Sequence, residues 1–391
     1  MWYESMEAQR RFVQSLCEWW MPDYRWPDRP CEPPPFGISS IRSGECSVPV
    51  VESVLDRTPF CELRHFARVE GAAAGQLGQV GSTAASIFVC APLAGHHAVM
   101  LREMVETLLQ NADVYVTDWT DARDVPLAAG PFGLNDYILV LERFLRKIGS
   151  AHLHVIAVCQ ATVPALATSA LLASAGIAEP LSLTLMGGPI DTRLHPTAID
   201  QLAQAHNINW FRNVAIGIVA PPYLGSGRRV YPGSIQHAAI VAAQPRRHLA
   251  LELGYWSSRI SGDTETMAQN LRSLREYSAV LDMAEDYFLD MIRVVFQEQR
   301  LARGQWQVDE RRVYPQALRS TALCTVEGDR DDITGEGQTH AAHKLCNAIP
   351  VQKHHQLTID DCDHYDLFTG SKWQDVIHPA VGQFWRSLVL V

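Results

Sequence analysis

Short apolar runs alternate with amphipathic stretches through much of the chain. SIFVCAPL (86–93) has the pattern of a buried strand, and an amphipathic helix is predicted from about Ala98 to Leu109. DVYVTDW (113–119) is the next predicted strand, and LNDYILVLERFLRKIG (134–149) is a helix ending at Gly149. HLHVIAV (152–158) predicts a strand, Pro164 to Ala175 lies in the following helix, and LSLTLMGG (181–188) is another strand. Strands of this kind between helices predict a mainly parallel sheet covered on both faces. The rhythm breaks between about Asn207 and Gln316, where the sequence is mostly helical and rich in aromatics, including MAEDYFLDMIRVVFQEQRL (283–301). It returns with TALCTVEG (321–328), a helix near 337–346, HHQLTID (354–360) and a last helix ending in FWRSLVLV.

Ahead of the alternation, WYESMEAQRRFVQSLCEWW predicts a helix with Trp2, Met6, Phe12, Val13, Leu16, Trp19 and Trp20 at rough helical spacing, stopped by Pro22. A Pro- and Arg-rich linker over 22–37, an antiparallel stretch, and a Gly/Ala-rich polar segment near 69–83 follow. The expected division is an N-terminal helix and extension (1–75), the first part of an α/β core (76–206), an inserted cap (207–316) and the second part of the core (317–391).

Composition narrows the function classes. The chain of 391 residues is 47% hydrophobic and 19% charged, as expected of a globular protein with a substantial core. A net charge of −10 with no basic block argues against a binder of phosphate backbones, so no nucleic-acid partner is expected. Nine irregularly spaced cysteines without a signal-peptide pattern predict free thiols in a reducing cytoplasm. No apolar run reaches a membrane span, no zinc-ligand spacing occurs, and neither a metal nor a cofactor is expected.

The sharpest local signal is HVIAVCQATVPALA (154–167), an apolar strand that turns at one cysteine into a helix of small residues. In α/β-hydrolases the nucleophile sits on such a turn, with small residues two positions to either side. Here the pentapeptide is Ala157-Val158-Cys159-Gln160-Ala161, with alanine in both glycine positions. A buried structural cysteine would read the same way, so the partners decide. The fold orders its residues as nucleophile, acid, histidine. Gly328-Asp329-Arg330-Asp331-Asp332-Ile333 follows a late strand and offers Asp331, with Asp332 and Asp329 as rivals. DDCDHYDLF offers His364 after the last strand, whereas His354 and His355 fall at that strand's start. Expected oxyanion donors are the backbone N–H of Gln160 and one from Leu93 or Ala94; Gly95 keeps their loop open, and His96 and His97 follow at the pocket rim. The fold class expected is therefore an α/β-hydrolase fold: a mainly parallel central sheet, helices on both faces, and a helical cap insertion.

Six segments carry a family resemblance: APLAGHHAVMLREMVETLL, VYVTDWTDARDVPLA, HVIAVCQATVPALA, YFLDMIRVVFQEQRLARGQW, TVEGDRDDITGEGQTHAAHKLC and DCDHYDLFTGSKW. Through them nearly the whole chain resembles the intracellular polyhydroxyalkanoate (polyhydroxybutyrate) depolymerases of bacteria that store polyester granules. The resemblance places that family's cysteine of V-C-Q on Cys159, the aspartate of D-D-I on Asp331 and the last-loop histidine on His364. Asp363 stands where glycine is usual before that histidine, and Ala161 where proline or another small residue is common. The related polyester synthases carry a G-x-C-x-G box, absent here. What the resemblance implies is cleavage of amorphous poly(3-hydroxybutyrate) at the granule surface in the cytoplasm. The acyl-cysteine would be resolved by water or by a thiol such as coenzyme A. A synthase-like enzyme, a small-molecule thioesterase or acyltransferase, and a non-catalytic granule binder stay open as alternatives, as does a homo-oligomer.

Overall fold

The computed structural model describes residues 33–43, 46–69, 85–243 and 245–389. The predicted helix of residues 2–20, most of the 22–37 linker and most of the 69–83 segment lie outside these residues. Nine strands form the main sheet: β1 (Ser40–Ser43), β2 (Cys46–Arg57), β3 (Cys61–Arg68), β4 (Ser86–Cys90), β5 (Val114–Trp119), β6 (Leu153–Val158), β7 (Ser182–Met186), β8 (Ala322–Gly328) and β9 (His354–Ile359). Their spatial order is β1-β2-β3-β5-β4-β6-β7-β8-β9. The pairings from β1 to β5 along this order are antiparallel, and from β5 through β9 every pairing is parallel. β1–β3, which the sequence division left in the N-terminal extension, are thus continuous with the central sheet: β3 pairs with β5 from Cys61↔Trp119 to Phe66↔Val114.

The central strands β4 through β8 are largely buried on both faces, which is why they read as nearly continuous apolar runs. In β6, Leu153, Val155 and Ala157 face one core layer, while Ile156 and Val158 face the other. Helices Leu134–Ile148 and Thr162–Ser174 cover the first face. Helices Arg102–Leu108 and His378–Val389 cover the second.

The stretch between β7 and β8 adds nothing to this sheet. Between Asn207 and Gln316 it folds into helices Ile208–Ala215, Gly233–Ala243, Pro245–Ser261, Thr264–Ser278 and Glu285–Asp290, the last continuing as a π-helical stretch over Met291–Gln297. Three short strands, Gly217–Ile218, Arg229–Tyr231 and Met283–Ala284, make a separate sheet within it. A buried ion cluster ties this insertion to the loop after β5. Arg123 Nε lies 2.9 Å from Asp121 Oδ2, and Nη2 lies 2.8 Å from Asp282 Oδ1.

Candidate active site

The site begins at the C-terminal end of β6, where open parallel sheets place their reactive groups. Cys159 follows the strand directly and has φ +53°, a left-handed conformation that costs a non-glycine residue on the order of 1 kcal/mol. The sharp corner needs little room two residues to either side. Ala157 and Ala161 are both fully buried, so alanine supplies the smallness that glycine gives elsewhere. Thr162 Oγ donates to the Cys159 carbonyl at 2.8 Å and closes the turn. Helix Thr162–Ser174 then starts immediately behind the sulfur, with Pro164 in its first turn where a missing N–H is tolerated.

The structure brings Cys159, His364 and Asp331 together. His364 Nδ1 donates to Asp331 Oδ2 at 2.7 Å, and both side chains are nearly fully buried. With Nδ1 engaged, Nε2 is the nitrogen left for the Cys159 side chain. Burial disfavours the imidazolium. The charges of Asp331 and Cys159, with the hydrogen bond that Asp331 accepts, outweigh burial and raise the His364 pKa well above its ordinary value. Asp331 is itself oriented: Oδ1 accepts the N–H of Ile333 at 2.9 Å and of Thr334 at 2.8 Å.

The rival groups lie elsewhere. Asp329 and Asp332 are exposed, and Asp329 accepts the N–H of Cys362 at 3.0 Å, joining two loops. His354 bonds to His343, and His355 stacks on Phe384, both away from the sulfur. Asp363 has a structural use: Oδ1 accepts the N–H of Tyr365 at 2.9 Å and of Asp366 at 3.0 Å, capping the turn that carries His364.

Two glycines after β7 let His364 settle. Gly187 has φ +55°, and a Cβ there would lie 2.7 Å from Leu367 Cδ1 and 3.2 Å from His364 Cε1. A Cβ on Gly188 would lie 1.7 Å from Thr162 Oγ, at the start of the helix behind Cys159. Gly187→Ala is expected to cost about 1–2 kcal/mol of stability from backbone strain. It should also lower ester cleavage at least about tenfold by displacing the imidazole, since small misplacements are costly. Thermal unfolding and kcat measured together check this; unchanged turnover would mean that the ring does not rest on this residue.

The loop after β4 differs from the sequence expectation. Its base is rigid: Ala91 N–H donates to Thr117 Oγ at 2.8 Å, and its carbonyl accepts Trp119 Nε1 and Tyr137 Oη, each at 2.9 Å. The Ala94 N–H, expected as an oxyanion donor, instead donates to Gln160 Oε1 at 3.0 Å, because that side chain reaches across the turn to the loop. Leu93 buries its side chain in the core, while Ala94 lines the cavity. His96 and His97 border the cavity, as expected; His96 is buried, which pushes its pKa down to about 3, and burial likewise pushes His97 down to about 4.

Two functional neighbours escaped sequence reasoning. Gln236 Oε1 accepts the N–H of Gly95 at 2.8 Å, and Tyr287 Oη donates to Gln160 Oε1 at 2.6 Å. Both come from the insertion, which also pairs with this loop through Leu281 N–H to the Gly95 carbonyl. No local pattern distinguishes them from other residues of that region.

Over the sulfur lies a cavity of about 610 Å³, bordered by Cys159, Gln160 and His364 from the core. Trp210, Phe211, Phe288 and Ile292 from the insertion are among the residues that make its walls mainly apolar. A lining of this kind suits an apolar ligand oriented by few polar groups. Among the described residues no group of side chains could hold a metal ion, and no helix is long and apolar enough to cross a membrane.

Solved structures resemble the chain in shape. A carboxylesterase of Nitrososphaera gargenis aligns with TM-score 0.48 and 10% identity, covering 87% of this chain and 100% of that one. A RedJ thioesterase from the prodiginine pathway of Streptomyces coelicolor aligns with TM-score 0.43 and 13% identity, covering 80% and 96%. A monoacylglycerol lipase of Paleococcus ferrophilus aligns with TM-score 0.44 and 9% identity, covering 77% and 94%. No curated protein matches the sequence. A family model described as "PHB de-polymerase C-terminus" matches residues 187–388, just over half of the chain and the part that supplies Asp331 and His364. A match over more than half of its length shows that the chain belongs to the PHB depolymerase family.

Proposed function

We propose that this protein cleaves the ester bonds of amorphous poly(3-hydroxybutyrate) in storage granules through a Cys159–His364–Asp331 triad. The observation that carries the reading is the polar chain from Asp331 through His364 to a strained, cavity-facing cysteine. In this mechanism the Cys159 thiolate attacks the ester carbonyl. His364 Nε2 then protonates the departing alkoxide, while Asp331 holds Nδ1–H and stabilises the imidazolium. Water, activated by His364, releases the acyl group from sulfur. The insertion over 207–316 acts as a cap whose apolar walls hold the polyester segment, and 1–75, 76–206 and 317–391 serve as the extension and the two parts of the core.

The test is incubation of purified protein with protein-coated amorphous granules and with crystalline polymer. Release of 3-hydroxybutyrate or its oligomers from the amorphous form supports the reading; no soluble acid from either rejects it. Adding coenzyme A to the same assay shows whether the acyl group leaves as free acid or as thioester.

Capture at the granule should rest on apolar area, since an acidic protein gains little Coulomb attraction to a neutral polyester. The cap aromatics turn inward: Phe211 is buried, Trp210 lines the cavity, and Tyr231 stacks on Phe288 with centroids 4.1 Å apart. Tyr223 lies beneath Arg123, and Trp256 beneath Arg259. The outward apolar residues are aliphatic. Leu249, Leu253 and Ile260, exposed by 56%, 59% and 85%, fall on one face of helix Pro245–Ser261. The combined Leu249→Ser, Leu253→Ser and Ile260→Ser variant is expected to weaken granule binding about tenfold or more and to spare cleavage of a soluble short ester. Salt should not elute the wild type from granules; elution by salt alone would reveal a charge-based attachment instead.

A further inference from the structure

We propose that the side-chain amide of Gln160 is itself an oxyanion donor, held in position by Tyr287. The proposal rests on the Cys159 acylation reading and adds a catalytic group to it. Gln160 Oε1 accepts the Ala94 N–H at 3.0 Å and the Tyr287 O–H at 2.6 Å. A backbone N–H can only donate, so the atom facing it is the amide oxygen, and Tyr287 must also donate. Both acceptor positions of that oxygen are thereby filled, and the carboxamide cannot flip. Its other end, the Nε2 group with two donors, belongs to the residue next to the nucleophile, which borders the cavity with Cys159 and His364.

Tyr287 is suited to hold this geometry. It is fully buried, stacks on Tyr137 with centroids 5.6 Å apart, and lies beside Phe132. Burial and then the nearby Cys159 charge raise its pKa well above the ordinary phenol value, so it stays protonated and donates. Tyr137 in turn donates to the Ala91 carbonyl at the base of the oxyanion loop. The insertion therefore reaches the residue beside the nucleophile through the Tyr287 hydroxyl. With Ala94 N–H engaged, the hole is made by the backbone N–H of Gln160 and its own Nε2–H. As the Sγ–C bond forms, the carbonyl π pair moves onto oxygen and these donors stabilise it. When the tetrahedral adduct collapses, the pair re-forms C=O, the alkoxide leaves, and it takes its proton from His364; Gln160 gives up none.

Gln160→Glu tests this, because it keeps an oxygen for both Ala94 and Tyr287 and replaces the amide N–H donors with a second carboxylate oxygen, which cannot donate when ionised and adds a negative charge. On a soluble aryl butyrate, kcat is expected to fall about 10²–10³-fold with KM nearly unchanged, across the whole pH plateau. Inhibition by an alkyl trifluoromethyl ketone, which forms an anionic tetrahedral adduct with a thiol, should weaken in parallel with kcat/KM. Tyr287→Phe, which keeps the ring, should fall on the same line with a loss of about tenfold. Wild-type kcat in Gln160→Glu, or a loss of kcat with unchanged ketone affinity, overturns the proposal. An active Cys159→Ala protein would reject the acylation reading beneath it; an inactive one beside a fully active Gln160→Glu rejects this proposal alone.

Discussion

Cys159→Ala is expected to abolish cleavage of a soluble short ester, with a loss of about 10⁴-fold or more in kcat, while the protein stays folded. The residue is half-buried at a turn, so truncation to alanine removes one sulfur and leaves only a small cavity. Its left-handed φ strains alanine no more than cysteine. The thermal midpoint should therefore move by only a few degrees. Thiol alkylation of the wild type is a weaker version of the same test. Burial pushes the thiols of Cys324, Cys346 and Cys362 up to about 12, which makes them slow to react, but Cys46 is exposed. The substitution decides where the reagent does not. Substantial activity in the folded Cys159→Ala protein would make the corner cysteine structural and the proposed mechanism wrong.

Much of this architecture is legible in the sequence because it rests on local pattern. The central parallel strands appear as apolar runs because both of their faces are buried, and the ends of the parallel strands agree with prediction to within a few residues. Where prediction slips, a tertiary contact overrides propensity. The helix expected near 337–346 forms regular α-helix only over Ala342–Leu345. Buried Glu327 accepts the N–H groups of Gly337, Thr339 and His340 and holds the preceding residues in turns. The helix expected from Ala98 begins as a 3-10 turn, next to a loop that bridges to the insertion at His96↔Val280. Periodicity marks the aromatics of the insertion as apolar but cannot say whether their face meets solvent or a cavity.

The candidate site divides in the same way. Chain order and strand context bring Cys159, Asp331 and His364 to notice, because each follows a strand that reads clearly. The oxyanion loop is less legible, because its hydrogen bonding depends on side chains far off in sequence. Ala94 is engaged by the residue beside the nucleophile, and that residue is fixed by a tyrosine 127 positions further on. Nothing about an isolated Tyr in a helical, aromatic-rich region signals that role. The insertion and the nucleophile's corner are coupled by hydrogen bonds between residues far apart in sequence, and only the folded chain displays them.

Asp331→Asn is expected to cost about 10³–10⁴-fold in kcat, far more than Asp332→Asn or Asp329→Asn, which should stay within about twofold of wild type. The reason lies in the donors around the carboxylate. Oδ1 faces the N–H groups of Ile333 and Thr334, and Oδ2 faces His364 Nδ1, so both ends must accept. Asparagine has one acceptor end. If its oxygen keeps the two backbone donors, its NH₂ points at Nδ1 and moves the imidazole proton to Nε2. That tautomer cannot take the proton of the Cys159 thiol. If the amide turns over, two buried N–H groups lose their acceptor, at about 1–3 kcal/mol each. The pH profile should move as well. Burial lowers the His364 pKa, and Asp331 is foremost among the groups that raise it. Removing the carboxylate charge therefore lowers that pKa, and the thiolate–imidazolium form is lost at lower pH. The descending limb of kcat/KM at high pH should shift down in Asp331→Asn and stay in place in Asp332→Asn. A high-pH limb that does not move in Asp331→Asn, or an equal loss of kcat in Asp332→Asn, would show that the loop as a whole, rather than this carboxylate, sets the state of the histidine.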